Sequence, residues 1–320
     1  MKMPLLKLVP QDTHVPFLSA RKLAYVLSIL LIGGSIFLLS TRGLNFGIDF
    51  EGGILMEIRT EQEADIPALR DQLSKLDLGQ VSLQSFGSPR DVMIRIQAQE
   101  GDESAQQKAI QTVRSTLPDA IDYRRVEFVG PQVGQELIEK GALAVFWSLA
   151  GILAYIWFRF EWQFSVAAII ALIHDSIATL GLFALTQMEF DLSTVAAVLM
   201  IAGYSINDTV VVFDRVRENL RRYRRMDLIE LLDTSINGML SRTLLTSGTT
   251  LLALIALYVF GGSVIRGFVD ALIFGVMIGT YSSIFIATPT LLYIDPRKKD
   301  AAKVDDGNQS HKQIETGAGA

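Results

Sequence analysis

GYSINDTVVVFDRVREN, residues Gly203–Asn219, is the stretch on which the fold turns. Val210–Phe213 suit hydrocarbon, yet Asn207 and Asp208 stand just ahead of them, flanked by Ser205 and Thr209. After them come Asp214 and a run of arginines. Leu192–Phe213 is apolar enough to span a bilayer, and an acid inside a span costs about 2.5–3.5 kcal/mol on insertion scales. Asp208 lies six residues before Asp214, which at 1.5 Å per residue places it about 9 Å inside the hydrocarbon boundary.

The rest of the chain supports a membrane reading. It has 320 residues, 50% hydrophobic and 20% charged, and the apolar residues cluster. A hydrocarbon core about 30 Å thick needs about 20 apolar residues as helix. Six runs qualify: Leu23–Ser40, Ala142–Phe158, Phe164–Leu185, Leu192–Phe213, Thr243–Phe260 and Phe268–Ile294. The first follows Arg21-Lys22 without a small-residue cleavage site, so an uncleaved signal-anchor helix is expected. There is no cysteine, which excludes disulfides, thiolate metal sites and cysteine nucleophiles. With only His14, His174 and His311, a histidine-rich metal site is not expected, nor any cofactor.

Lysine and arginine set the orientation. Lys2, Lys7, Arg21 and Lys22 precede the first span, seven arginines lie from Arg215 to Arg242 inclusive, and Arg297, Lys298, Lys299 and Lys303 follow the sixth. With six spans these fall on one side, so both termini (1–22 and 295–320) and a basic loop 214–242 are expected in the cytoplasm. That loop reads as one or two amphipathic helices lying on the membrane face. The tail after Pro296 is polar and expected to be disordered.

The segment 41–139, on the other side, has the pattern of a small domain. Ile54, Met56 and Ile58 alternate as on a half-buried strand. Asp65-Ile66-Pro67 opens a helix carrying Leu69 and Leu73. Val81–Leu83 and Val92–Ile96 suggest two more strands, Ala109–Leu117 a second helix, and Val126–Phe128 a last strand. The order β-α-β-β-α-β predicts a ferredoxin-like α+β domain. The expected fold is therefore a polytopic α-helical membrane protein with one such domain between spans one and two. Asp49 and Glu51, in GLNFGIDFEGG (Gly43–Gly53), read as acids facing water in a glycine-bounded turn, because no third catalytic group is near them in sequence.

Three places inside the spans carry polar residues: His174-Asp175 in span three, Asn207-Asp208 in span four, and Arg242 with Thr243, Thr246, Ser247, Thr249 and Thr250 in span five. A carboxyl held between the cost of burying its charge and the pull of a cation can take up and release a proton. Asp208 is the candidate, with Arg242 as the cation. Asp208 as a helix–helix hydrogen bond and Arg242 as a membrane anchor are the plainer alternatives. Adjacent helical residues point about 100° apart, so His174 and Asp175 are not expected to face one narrow path together. Ala271, Gly275, Gly279, Ser283 and Ala287 recur every fourth residue in span six, a ladder that admits a closely packed helix from this chain or another.

These motifs carry a resemblance. FGIDFEGG (Phe46–Gly53), VEFVGPQVGQEL (Val126–Leu137), FRFEW (Phe158–Trp162), His174-Asp175, the opening stretch, SRTLLTSGTTLL (Ser241–Leu252) and IGTYSSIFIATP (Ile278–Pro289) occur in the order found in the SecD/SecF family. The family is itself similar to resistance–nodulation–division (RND) transporters, and the resemblance covers about Arg21–Ile294. It implies a SecF-type subunit of the bacterial inner membrane that pairs with SecD into a twelve-span unit. That unit associates with the SecYEG channel and YajC, and uses the proton-motive force to draw the preprotein out on the periplasmic side after the SecA ATPase has driven it in. The resemblance places the proton-relay acid at Asp208 and its arginine at Arg242, with Asn207, Asp175 and His174 as further relay candidates. It also places the family signature at Gly47, Asp49, Gly52 and Gly53. No Gly-x4-Gly-Lys-Ser/Thr nucleotide motif is present, so a proton-driven subunit is expected rather than an enzyme, and no nucleic-acid partner. A non-conducting scaffold holding SecD to the channel is the alternative. An intramembrane aspartyl protease is disfavoured because SINDT stands where that class has Gly-x-Gly-Asp.

Overall fold

The computed structural model describes residues 13–99, 101, 103–118, 120–262 and 265–297. Helix α1 (Arg21–Thr41) leads to strand β1 (Asn45–Phe46) and the single turn α2 (Ile48–Glu51). A small domain follows: β2 (Gly53–Arg59), α3 (Ile66–Leu73), β3 (Val81–Phe86), β4 (Ser88–Ile96), α4 (Glu103–Thr116) and β5 (Asp122–Val129). The chain then runs through α5 (Pro131–Arg159), α6 (Trp162–Thr186), β6 (Glu189–Phe190), α7 (Leu192–Arg222), α8 (Leu228–Phe260) and α9 (Arg266–Ser282). A π-helical turn, Ser283–Ala287, joins α9 to α10 (Thr288–Ile294). Among the described residues six helices, counting α9–α10 as one rod, are long and apolar enough to cross a bilayer. The protein is a multi-pass membrane protein.

The small domain is a four-stranded antiparallel sheet in the order β3-β4-β2-β5, compatible with a ferredoxin-like arrangement. Asp65 caps α3 by accepting the amide of Ala68 at 3.0 Å, and Pro67 sits in the first turn. Ile54, Met56 and Ile58 face Ile96, Ile94 and Val92 across the ladder. Together they pack beneath Leu69 and Leu73 of α3 and Ala109 and Val113 of α4. The sheet departs from the half-buried expectation in one respect. Leu55 and Glu57, on the opposite face of β2, are 1% and 2% exposed, so β2 is covered on both sides. That second face turns toward the membrane helices. There Glu57, Met93 and Arg125 share a cleft of about 360 Å³ with Met188, Phe268 and Asp270.

The helical core is built on α6, α7 and α9. Gly275 and Gly279 of the four-residue ladder lie against α7: a Cβ at Gly275 would run into the side chain of Ile201, and one at Gly279 would sit 3.1 Å from Ser205 Cβ. The ladder's neighbour is thus α7 of the same chain. Gly181 of α6 gives α1 a comparable close approach at Ser35.

The region between spans four and five differs from expectation. Residues 214–242 form no separate surface helices: α7 and α8 run on past the apolar stretches, for 31 and 33 residues, and a short turn at 223–227 joins them. At 1.5 Å per residue they are about 47 and 50 Å long, more than a bilayer core needs. The reason is packing. Val216, Leu231, Leu232 and Ile236 are buried in the same cluster as Phe213 and Leu18. The segment before α1 closes that end, with the Val15 amide donating to Asn237 Oδ1 and the Leu18 amide to Asp233 Oδ1, both at 2.9 Å. Similarly, α5 begins at Pro131, inside the segment assigned to the small domain. The tail beyond Arg297, expected to be disordered, lies outside the described residues.

Candidate functional site

Two carboxylates sit about midway along their helices. Asp175 of α6 is 0% exposed and Asp208 of α7 is 7% exposed. An ionised carboxylate is an acceptor only, and the neighbouring helices supply hydroxyl donors. Asp175 Oδ2 accepts from Ser205 Oγ of α7 at 2.5 Å and from Ser282 Oγ of α9 at 2.6 Å. Asp208 accepts from Thr243 Oγ1 of α8 at 2.8 Å and from Ser283 Oγ at 2.5 Å. The consecutive residues Ser282 and Ser283 therefore serve two different acids, and Ser205 and Asp208 are neighbours one turn apart on α7. Four helices meet in one polar knot inside an otherwise apolar core.

Ser282 and Ser283 each have a second acceptor. Ser282 Oγ is 3.1 Å from the Gly279 carbonyl, and Ser283 Oγ is 3.1 Å from the Thr280 carbonyl. A hydroxyl has one hydrogen, so each serine donates either to its acid or to the turn before it. The α-to-π change occurs at this point, at Ser283, and Thr288 Oγ1 covers the Ser283 carbonyl at 2.8 Å. Such π turns recur at functional sites.

The other expected residues are placed as follows. His174 folds back on its neighbour, Nδ1 lying 2.9 Å from Asp175 Oδ1, so the two do meet despite their 100° separation on the helix. The His174 ring is also 6.1 Å from that of Tyr281. Asn207 is exposed and faces a groove between α5 and α7 with Gly203, Trp147 and Tyr155, away from both acids. Arg242 is exposed, beside Thr243, and is in no ion pair within 4 Å among the described residues. Its charge reaches Asp208 only through space. Ser282 is the residue that sequence reasoning passed over; its signal was the YSS triplet in an apolar span. Among the described residues no three His, Asp or Glu side chains cluster as metal ligands would.

The signature Gly47–Gly53 forms the joint between the small domain and the bundle. β1 pairs in parallel with β6, just ahead of α7. The Gly47 amide donates to the Phe190 carbonyl at 2.9 Å, and a Cβ at Gly47 would meet Glu189 and Asp191. Gly52 and Gly53 have φ of +70° and +119°, and a Cβ at Gly53 would lie 2.5 Å from the Ile96 carbonyl oxygen. Asp49 does not simply face water: Oδ2 accepts the Leu192 amide at 2.9 Å, at the first residue of α7. Asp191 caps the same helix through the Thr194 amide at 2.8 Å. Arg95 of β4 completes the joint with bonds to Asn45 and the Phe46 carbonyl and an ion pair to Glu189 at 3.1 Å. Burial pushes the Glu189 carboxyl up, and the Arg95 charge pulls it back down. Helix starts expose unpaired amides that acceptors stabilise. Asp49→Ala should therefore cost the first turn of α7 about 1 kcal/mol, read as roughly fivefold faster hydrogen exchange at the Leu192 amide; unchanged exchange would show that Asp191 alone suffices.

Comparison with known proteins adds the family. The model of the protein export membrane protein SecD/SecF, C-terminal family matches residues 108–297, and that of the SecD/SecF GG motif matches residues 37–64. The protein translocase subunit SecF of Rickettsia rickettsii (strain Sheila Smith) is 47% identical over 297 residues, 92% of this chain and 96% of that protein. The subunit of the same name from Magnetococcus marinus is 49% identical over 298 residues, 91% of this chain and 96% of that one. Among solved structures, SecDF from Thermus thermophilus, described as a translocon-associated membrane protein, matches with a TM-score of 0.82 and 33% identity. The match covers 90% of this chain and 40% of that one. SecDF in its super-membrane-facing form matches with a TM-score of 0.66, 32% identity, and coverage of 92% and 40%. The chain spans about two fifths of those SecDF chains. With the GG signature at the joint and the match running through the whole bundle, the chain belongs to the SecD/SecF family of protein export membrane proteins.

Proposed function

We propose that the chain is a proton-coupled subunit of a preprotein translocase in the bacterial inner membrane, with both termini in the cytoplasm. It pairs with SecD, and the pair works beside SecYEG and YajC to draw the preprotein outward in the late, periplasmic-side steps of export. Asp208 is the proton carrier; Asp175 with His174 forms a second buried station, and Arg242 borders the path. The observation that carries this reading is the pair of buried carboxyls about midway along their helices, held by hydroxyls and with no lysine or arginine in contact among the described residues, where an ionisable group is otherwise costly.

The hydroxyls make protonation consequential. With Asp208 ionised, Ser283 and Thr243 donate to it and tie α7, α8 and the π turn together. With a proton on Oδ2, Asp208 becomes the donor and the Ser283 hydrogen turns to the Thr280 carbonyl. The Ser283 contact then carries the opposite polarity while Thr243 still donates to Oδ1, and the balance among three helices shifts. One charge moved through 100 mV supplies about 2.3 kcal/mol, enough to bias a two-state element. Asp49 and the β1–β6 pair pass a shift of α7 to the small domain. The test is preprotein export in vesicles holding the channel and SecD, with and without this chain and with and without a proton gradient. The chain should speed export only when the gradient is present; equal stimulation after the gradient is collapsed would favour the scaffold role.

A further inference from the structure

Beside the end of α5 and along the last turns of α7, Arg159, Arg217, Arg221 and Arg222 surround an open cavity of about 740 Å³, with Asp214 and Glu218 the acids among the described residues of its wall. The arginines come from helices distant in sequence. Arg159 and Arg217 lie over the same ring, Phe160, at 5.0 and 5.5 Å, and Arg159 is fixed by Asp214 at 2.9 Å. Glu218 is already engaged by Arg215 at 2.6 Å. Arg221 and Arg222 are exposed and take part in no ion pair among the described residues. The cavity therefore keeps a positive excess.

Its level in the membrane is marked by aromatics. Trp157, Phe158 and Trp162, around the end of α5, are 56%, 89% and 47% exposed. Tryptophans of this kind collect at the boundary between hydrocarbon and headgroups. Just beyond that boundary the molecule offers guanidinium groups, whose planar forks match phosphate oxygens.

We propose that this cavity binds the phosphate headgroup of an anionic phospholipid, with Arg221 and Arg222 as its free ligands and Phe158 and Trp157 lying along the acyl chains. The site is separate from the buried acids and does not depend on the proton reading. A lipid held there would bridge the outer helix α5 and the core helix α7.

The test uses the full chain in bilayer nanodiscs of phosphatidylcholine containing a minor fraction of phosphatidylglycerol, with retained lipid read by native mass spectrometry. Wild type should enrich phosphatidylglycerol. The double variant R221A/R222A should lose about 25-fold of that preference, each interfacial arginine being worth about fivefold. R224A/R225A removes two charges from the adjacent turn, outside the cavity, and should keep most of it. Equal losses in the two variants would mean general attraction to a charged surface and overturn the proposal. So would displacement of the retained lipid by inorganic phosphate, which would make free phosphate the ligand.

Discussion

Asp208→Asn should abolish gradient-driven export while leaving the assembled complex intact. Asparagine keeps the size and the hydrogen-bonding reach of the acid. Its carbonyl still accepts from Thr243, and its amide donates to Ser283, which turns to the Thr280 carbonyl. The knot is thereby fixed in the arrangement assigned to the protonated acid. Removing a group that must gain and lose a proton in each cycle costs about a hundredfold, so both proton flux and the gradient-dependent part of export should fall by about that factor. Thermal stability and co-purification with SecD should not change. Wild-type flux and export in this variant would sink the carrier assignment and leave the scaffold role standing.

Gly275→Leu should act on the opposite quantity, assembly. Gly275 faces Ile201, which is 2% exposed and β-branched, so it has neither room nor rotamers to move aside. Overpacking a close-packed core costs about 1–3 kcal/mol, and here the strain falls on the contact that brings Ser282 and Ser283 to their acids. The variant should reach the membrane at much reduced level, and what remains should have lost proton coupling as well. Ile201→Ala in the same chain makes space for the new side chain and should restore the level. If the single variant accumulated normally, the α7–α9 seam would have slack that the geometry denies.

The spans and the small domain were legible because each rests on a local signal. Runs of apolar residues report the bilayer, and Ile54, Met56 and Ile58 report a strand. The ends of α7 and α8 were not legible. Arginines at 215–225 read as solvated surface, and only the tertiary contact of Leu231, Leu232 and Ile236 with Phe213 shows that the helices continue. β1 and β6 are two residues each, too short for any period to register. Asp49 looked solvent-facing because its partner, the Leu192 amide, is 143 residues away. At the site, the acids announced themselves by their cost in an apolar span. Ser205 and Thr243 stood among the polar residues of their spans but not as partners of the acids, since serine and threonine are common in membrane helices and often bond to their own backbone. The four-residue ladder came nearest, for Ser283 was already on it.

The π turn has a consequence for how the sixth span is spelled. A π turn takes in one residue more than the α-helix around it, like a single-residue insertion that the helix has absorbed. Each residue of α-helix advances the azimuth by about 100°, so α10 is out of phase with α9 by about that angle. Pro289 and Leu291, buried against the core, hold their face only because of this offset. Deleting one residue of Ser283–Ala287 would let the turn close into ordinary α-helix and leave both halves of the rod on their faces, in a span still long enough and just as apolar, but it would remove the π turn on which Ser283 sits. What this segment encodes is a count of residues, which hydropathy cannot register.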